Sequence, residues 1–301
     1  MMFIKNGKML KVNENSRFIS SYLGTKRKYG EKIATVIYKL NTDTCYDLFG
    51  GSGSLCCQLA PFFENIYYNE KNKYLNGFIC IAYSYFNIGQ FDDFWKKVMK
   101  YYISDKESFM RIRDDFNYNK IDEGEKCLAY FWLNTCCTSA LVRWNKNKIE
   151  GNQWYFNQAY NGKVLKPEIV KETLLDGLKS IKGKKYHMTL RDYSEVDIIG
   201  GALLLVDPPY DNTYNGYIPE EWDSERFIKW VEEKSKTNPI CLFGSTKTDD
   251  FSDTKNLKPF YDAGWKVLIL SEKAFNGVAP KTKNVNNQDR SKQRDVMLYN
   301  F

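Results

Sequence analysis

Ala202-Leu203-Leu204-Leu205-Val206-Asp207-Pro208-Pro209-Tyr210 joins a short apolar run to a turn that cannot continue it. Five apolar residues preceded by Gly200 and Gly201 read as a central, buried strand rather than a helix. Pro208 and Pro209 donate no ladder hydrogen bond, and Pro208 pushes Asp207 toward an extended backbone. The strand therefore stops abruptly and presents a carboxylate, a stiff turn and an aromatic ring at its carboxyl edge. In open α/β sheets ligands bind at that edge. A planar, NH2-bearing substrate fits it: Asp207 and the Pro208 carbonyl accept from the amine while Tyr210 stacks on the ring. Taken alone, the same residues also read as a strand-ending loop with a surface tyrosine.

The second landmark lies far upstream. Thr44-Cys45-Tyr46-Asp47-Leu48-Phe49 reads as a compact strand and Gly50-Gly51-Ser52-Gly53 as a turn. Ser54 to Phe63 follows as a helix with Leu55, Cys56 and Leu59 on its apolar face. Strand, glycine turn, helix is a nucleotide-binding arrangement, in which glycines let the backbone approach a ligand without Cβ obstruction. Asn65 to Asn69 is the next strand and runs into Glu70, 17 positions after Gly53. That is close to the roughly 20-residue offset at which an acid takes a ribose hydroxyl pair. FGGSG lacks the full GxGxxG spacing, which disfavours a dinucleotide. Asp47, just before the turn, suits the ammonium of an adenosyl ligand with an amino-acid tail.

Ser20 to Lys28, SSYLGTKRK, is a basic loop with one glycine that feeds a helical pattern at Ile33, Val36, Ile37 and Leu40. It reads either as a cradle for an anionic or carboxylate-bearing ligand or as a solvated loop. Pro167 opens a helix with Val170, Leu174, Leu178 and Ile181 in register and Gly183 at its end. Tyr186 to Leu190 reads as a strand. Asp192 follows, placed to accept from an adenine amino group, though alone such a residue is more often a helix N-cap. Beyond Tyr210, Asp211 to Pro219 reads as a polar loop able to close over a base. Glu220 to Lys236 reads as a helix with Trp222, Phe227, Trp230 and Val231 inward. Ile240 to Phe243, Trp265 to Leu270 and Asp295 to Asn300 read as strands.

Between Gln90 and about Lys166 the strand–helix alternation breaks down, and the stretch reads as an insertion into an α/β domain. Helical patterns occur at Phe91 to Tyr102 and Glu125 to Leu133. Arg143-Trp144-Asn145-Lys146-Asn147-Lys148 and Trp154 to Gln158 then interleave basic and amide side chains with aromatics, as base-edge and phosphate contacts require. The same composition also describes a polar helical subdomain with a solvated loop. A second basic stretch between Ser271 and Arg294, with Lys281 and Lys283, suits phosphates or simply solvent. A formal charge of +7 suits a polyanionic partner. Eight cysteines without a CxxC spacing, and His187 as the one histidine, argue against zinc. Met1 to Lys11 lacks the apolar core of a signal peptide and no stretch is long enough to span a bilayer. A soluble intracellular protein with reduced thiols is expected.

YLGTK at Tyr22 to Lys26, DLFGGSG at Asp47 to Gly53, NEKN at Asn69 to Asn72, LVRWN at Leu141 to Asn145, RDYSE at Arg191 to Glu195 and DPPY appear in that order. From about Ser16 to the end, the chain resembles the Dam-type (alpha-group) DNA adenine-N6 methyltransferases, which use S-adenosylmethionine. The resemblance implies a Rossmann-like methyltransferase sheet, residues 1–89 and 166–301, with an inserted, mostly helical DNA-recognition domain at 90–165. It implies that Tyr22, Gly24 and Lys26 line the methionine end of the cofactor. Phe49, Gly50 and Gly53 would floor the site, with Asp47, Gly51 and Asp207 in the same set. Glu70 would hold the ribose hydroxyls and Asp192 the cofactor adenine. Asp207, Pro208, Pro209 and Tyr210 would grip a flipped target adenine. Arg143 would read a guanine edge from a hairpin with Leu141 and Asn145, supported by Lys146, Lys148, Lys281 and Lys283.

Three positions depart from the family pattern: Thr25 replaces a usual Gly, Glu70 a usual Asp, and the residues before Leu141 differ. Duplex DNA is the expected partner of a monomer that needs no metal. Its place is the cytoplasm, bacterial or phage-encoded, with a cognate restriction endonuclease acting separately. The rival expectations are a cytosine-N4 enzyme, an RNA base methyltransferase, and an inactive DNA-binding protein on the same fold.

Overall fold

The computed structural model describes residues 1–22, 24–140, 144–147, 153–210, 222–274 and 292–301. Met1–Ile198 form one compact unit, and the described residues from Ile199 onward form another.

The first unit opens with an antiparallel hairpin, β1 (Met2–Lys5) and β2 (Lys8–Lys11), that turns through Asn6 and Gly7 at φ 50° and 74°. Asn-Gly tolerates this left-handed backbone, so the dipeptide marks the turn. Lys5 is buried, with its ammonium donating to the carbonyls of Thr42 and Phe62 at 2.7 and 2.8 Å. Next come α1 (Gly30–Ile37), β3 (Thr44–Asp47), α2 (Ser54–Leu59) and β4 (Asn65–Asn69). Ile33 and Ile37 are buried as the helical spacing predicts, whereas Leu40 lies beyond the end of α1. α2 is shorter than the pattern suggests, and all six of its residues are buried. It has no solvent face, so periodicity could not outline it.

Four helices follow: α3 (Lys73–Asn87), α4 (Phe91–Met99), α5 (Lys106–Asn117) and α6 (Glu123–Cys136). α6 is buried from Lys126 to Cys136, and α3, α4 and α5 pack on it. α5 escapes the sequence reading because KESFMRIRDDFN is polar overall. Its signals are Phe109, Ile112 and Phe116 on one buried face, and a reciprocal capping box between Asp105 and Ser108. A short antiparallel pair, β5 (Trp144–Asn147) and β6 (Gln153–Phe156), leads to α7 (Pro167–Ser180) and β7 (Lys185–Thr189). Strands β3, β4 and β7 lie parallel and in that order. Tyr46, Tyr67 and His187 stand in register across them, their rings stacked at 4.3 and 4.5 Å. The one histidine is a rung of this ladder.

The second unit begins with β8 (Leu203–Val206), buried at every position as a strand covered on both faces should be. It pairs in parallel with β9 (Ile240–Thr246), reached through α8 (Ser224–Lys234). Phe227, Trp230 and Val231 are the buried face of α8. The helix begins at Ser224, where Asp223 caps it. Trp222 falls before it, with its ring 5.1 Å from that of Phe227, and the expected start at Glu220 and loop Asp211 to Pro219 lie outside the described residues. α9 (Lys258–Asp262) then leads to β10 (Lys266–Ala274) and β11 (Lys292–Tyr299), antiparallel to each other, with β11 antiparallel to β9. The chain is thus mixed α/β, with parallel strand pairs in both units.

Candidate active site

In the first unit the glycine turn joins β3 to α2 and is fastened on every side. Gly50 N–H donates to the Asn69 carbonyl and Gly53 N–H to the Gly50 carbonyl, each at 2.8 Å. Gly51 and Gly53 sit at φ 49° and 71°, a region that L-residues avoid. The space each glycine leaves is already filled by the protein. A Cβ on Gly50 would stand 2.1 Å from the Tyr68 ring, and one on Gly53 would stand 2.2 Å from Phe18. A Cβ on Gly51 would lie 2.8 Å from Tyr22. The glycines are therefore required by internal rings, a reason different from the unobstructed ligand approach expected of them. Tyr68 also donates its buried hydroxyl to the Gly51 carbonyl at 2.8 Å.

The basic loop before α1 is built into this turn and is not a free solvated segment. Phe18 N–H donates to the Ser52 carbonyl at 2.8 Å, and Lys26 N–H donates to Ser54 Oγ at 3.1 Å. Ser52 Oγ donates to Thr25 Oγ1 at 3.1 Å, so the threonine that departs from the family pattern contributes a contact that glycine lacks. Lys26 is buried, with its ammonium donating to the Gly24 carbonyl at 2.9 Å. Asp47 is buried at the end of β3, and its Oδ2 accepts from Cys56 N–H in the first turn of α2 at 3.2 Å. A carboxylate there is favoured by the positive end of the helix.

Glu70, at the end of β4, accepts one backbone N–H on each oxygen, Gly51 on Oε2 and Asn72 on Oε1, both at 2.7 Å. Burial pushes its pKa up, against the pull of those two N–H groups. Each oxygen retains a further lone pair for a hydroxyl donor. Asn69 binds the ends of three strands together. Its amide donates to the carbonyls of Leu48 and Arg191, and its oxygen accepts from Thr189 Oγ1 and Arg191 N–H. Asp192 caps the turn Tyr193–Glu195 by accepting from Ser194 and pairs with Lys71 at 3.2 Å. Burial pushes its pKa up, but those hydrogen bonds prevail and hold it below the ordinary value. Its N-cap role, one of the two readings open from sequence, is present in the structure. Phe49 stacks on Tyr193 at 5.4 Å.

In the second unit Asp207, Pro208, Pro209 and Tyr210 follow β8 directly. Tyr210 donates its hydroxyl to Asp207 Oδ1 at 3.3 Å, so the carboxylate and the ring form one group. Asn256 donates to the Pro209 carbonyl at 3.4 Å. Pro208, Pro209 and Tyr210 line a small pocket together with Phe243, Ser245 and Thr254. Close by in sequence, Asp253 accepts from Thr246, Thr248 and Lys247 N–H, fixing the chain where it leaves β9.

The structure thus brings Lys26, Asp47, Gly50, Gly51, Gly53 and Glu70 into one hydrogen-bonded cluster of the first unit with the Tyr22 ring beside Gly51, while Asp207 and Tyr210 meet in the second. Asn145 is exposed on β5, and Lys146 contributes backbone to the same strand. Leu141, Arg143, Lys148, Lys281 and Lys283 lie outside the described residues. Sequence reasoning missed Phe18, Tyr68 and Asn69. NEKN contains Asn69, but nothing local announces its four bonds. Among the described residues, no three His, Cys, Asp or Glu side chains gather where they could hold a metal. No described helix is long and apolar enough to cross a membrane.

A strand, a fixed glycine turn and a helix, with an acid closing the turn from the next parallel strand, mark the chain as a mixed α/β protein. A model of the D12 class N6 adenine-specific DNA methyltransferases matches residues 22–256, and the chain belongs to that family. The Type II methyltransferase M.MjaIII of Methanocaldococcus jannaschii is 27% identical over 158 residues, 48% of this chain and 52% of that protein. The chain therefore spans about half the length of the curated relative it matches. Among solved structures, wild-type Trm5b from Pyrococcus abyssi aligns over 99% of this chain and 54% of its own, at 11% identity. Its TM-score of 0.34 is too low to carry an argument.

Proposed function

We propose that this chain methylates the exocyclic N6 of an adenine flipped out of duplex DNA, using S-adenosylmethionine. The observation that carries the reading is the Asp207–Tyr210 pair, fixed by two prolines at the end of a fully buried strand in a chain of this family.

The residues at the glycine turn fit the cofactor chemically. Glu70 is held by two N–H groups and offers lone pairs to the ribose hydroxyls. Phe49 offers an apolar wall and Asp192 an acceptor for adenine. Asp47 would meet the ammonium, and Tyr22, Gly24 and Lys26 the methionine end. When bound, the cofactor supplies an electrophilic sulfonium methyl group.

The adenine N6 lone pair is delocalised into the ring and is a poor nucleophile. By accepting its two N–H bonds, Asp207 and the Pro208 carbonyl would favour a tetrahedral nitrogen and aim the lone pair. This is positioning and electrostatics, since the proton leaves only after methylation. Flipping the base costs about a few kcal/mol, and stacking on Tyr210 returns roughly 1–3 kcal/mol. Residues 90–165 would recognise DNA, with Leu141, Arg143, Asn145, Lys146 and Lys148 at the duplex and Lys281 and Lys283 on phosphates. A monomer working beside a separate restriction endonuclease is part of this reading; the relative from Methanocaldococcus jannaschii is named a Type II methyltransferase.

The test is incubation with duplex DNA and S-adenosylmethionine, followed by mass analysis of nucleosides and mapping of the modified sites. N6-methyladenine is expected, and N4-methylcytosine alone, or no product, would refute the reading. Asp207→Ala should keep duplex affinity and lose methyl transfer.

A further inference from the structure

Glu70, proposed above to hold the ribose, is connected to the hairpin proposed to face DNA through one asparagine. Asn72 N–H donates to Glu70 Oε1 at 2.7 Å. Its side-chain oxygen caps α3, accepting from Tyr74 and Leu75 N–H at 3.1 Å each. The cap fixes which end of the amide is which, leaving Nδ2 to donate to Tyr130 Oη at 2.7 Å. Tyr130, in α6, is 1% exposed.

The Tyr130 ring lies parallel to that of Trp144, the first residue of β5, with an interplanar angle of 2° and centroids 6.3 Å apart. Tyr74, whose N–H is capped by Asn72, stacks on both rings at 5.8 and 6.0 Å. Phe116 of α5 and Phe156 of β6 complete the cluster. The hairpin is thus anchored on rings that Asn72 touches twice, through Tyr74 N–H and through Tyr130 Oη. Neither helix needs the second contact. The α3 cap is made by the Asn72 oxygen alone, and the Tyr130 ring contacts are made without its hydroxyl. The Asn72–Tyr130 bond is a polar link from the residue that holds Glu70 into the rings packed on β5.

We propose that the Asn72–Tyr130 hydrogen bond couples the two ligands of the reaction, with Asn72 and Tyr130 as positioning residues. Hydroxyls donating to Glu70 hold its carboxylate against Asn72 N–H. Asn72 then holds Tyr130, and the Tyr130 ring holds Trp144 and the hairpin. Contacts at Trp144 and Phe156 are thereby fixed before DNA arrives, so cofactor strengthens DNA binding. By linkage, DNA strengthens cofactor binding by the same factor. This inference rests on the proposed function.

The experiment measures duplex affinity of the full chain, with and without saturating S-adenosylhomocysteine, on a duplex carrying a site this protein methylates. Tyr130→Phe keeps the ring, and Asn72→Ser keeps a good N-cap but cannot reach Tyr130. The wild type should bind DNA at least about five-fold tighter with the cofactor product present. Either variant should bring that ratio near one, and the double variant should add nothing, because both changes remove the same bond. KM for DNA should rise while kcat at saturating substrates is retained. A merely structural role would lower thermal stability and leave the ratio at the wild-type value. A wild-type ratio of one, a ratio retained in either folded variant, or unfolding of both variants would overturn the inference. Absence of methylation or of S-adenosylhomocysteine binding in the wild type would instead refute the proposed function, and the inference with it.

Discussion

Alanine at Gly53 and at Gly24 separates two reasons for a glycine. Both residues have positive φ, 71° and 79°. At Gly24 no described atom lies within 4 Å of the Cβ position. At Gly53 the new carbon would stand 2.2 Å from Phe18 Cδ2 and 2.6 Å from Cε2. Phe18 cannot step aside. It is 0% exposed, its N–H is bound to the Ser52 carbonyl, and its ring meets Tyr68 and Tyr186 edge-on. The left-handed backbone costs an L-residue about 1–2 kcal/mol, partly offset by the ~0.4–1 kcal/mol that alanine removes from unfolded-chain entropy. Gly24→Ala should therefore cost about 1 kcal/mol. Gly53→Ala adds an overpacking term of about 1–3 kcal/mol, for a total of about 2–4 kcal/mol. Urea unfolding followed by circular dichroism measures both. Equal losses, or an unchanged Gly53→Ala with weakened cofactor binding, would show that the glycine makes room for ligand and not for Phe18.

Tyr210→Phe keeps the ring and removes the hydroxyl that donates to Asp207 at 3.3 Å, a loss of about 0.5–1.5 kcal/mol and roughly ten-fold in kcat/KM. Tyr210→Ala removes the stack as well, about 1–3 kcal/mol more; equal effects would refute stacking. Burial raises the Glu70 pKa above the ordinary value, so the folded state binds the proton more tightly and stability falls as pH rises from the ordinary pKa through the raised one. Hydroxyls favour the ionised form, so S-adenosylhomocysteine affinity should fall as pH drops through the raised pKa. Glu70→Gln should remove that acid limb in a calorimetric titration. Asn69→Leu would leave two donors and two acceptors without partners at the strand ends, at about 1–3 kcal/mol each. A loss below about 1 kcal/mol in urea unfolding would contradict its role as a clasp.

What the sequence determined by itself was local. Five apolar residues ending in Pro208-Pro209 can only be a strand that stops, and Gly50-Gly51-Ser52-Gly53 between apolar runs can only be a turn, because proline and glycine act through their own backbone dihedrals. Asp207, Glu70 and Asp47 were legible for the same reason: each stands where a strand must end. α5 was not, because its sequence is polar overall and its buried face is little more than Phe109, Ile112 and Phe116. α2 was legible as a helix but not in its length, because all six of its residues are buried and periodicity needs a wet side to mark an end. Only the tertiary structure decided why the turn needs glycine at all, by bringing Phe18 onto Gly53 from 35 positions away. It alone placed Thr25 on Ser52 and Tyr130 on Asn72. Such contacts depend on which distant segments share a core, and side-chain volume and hydrogen-bond partners across that distance leave no pattern in the chain.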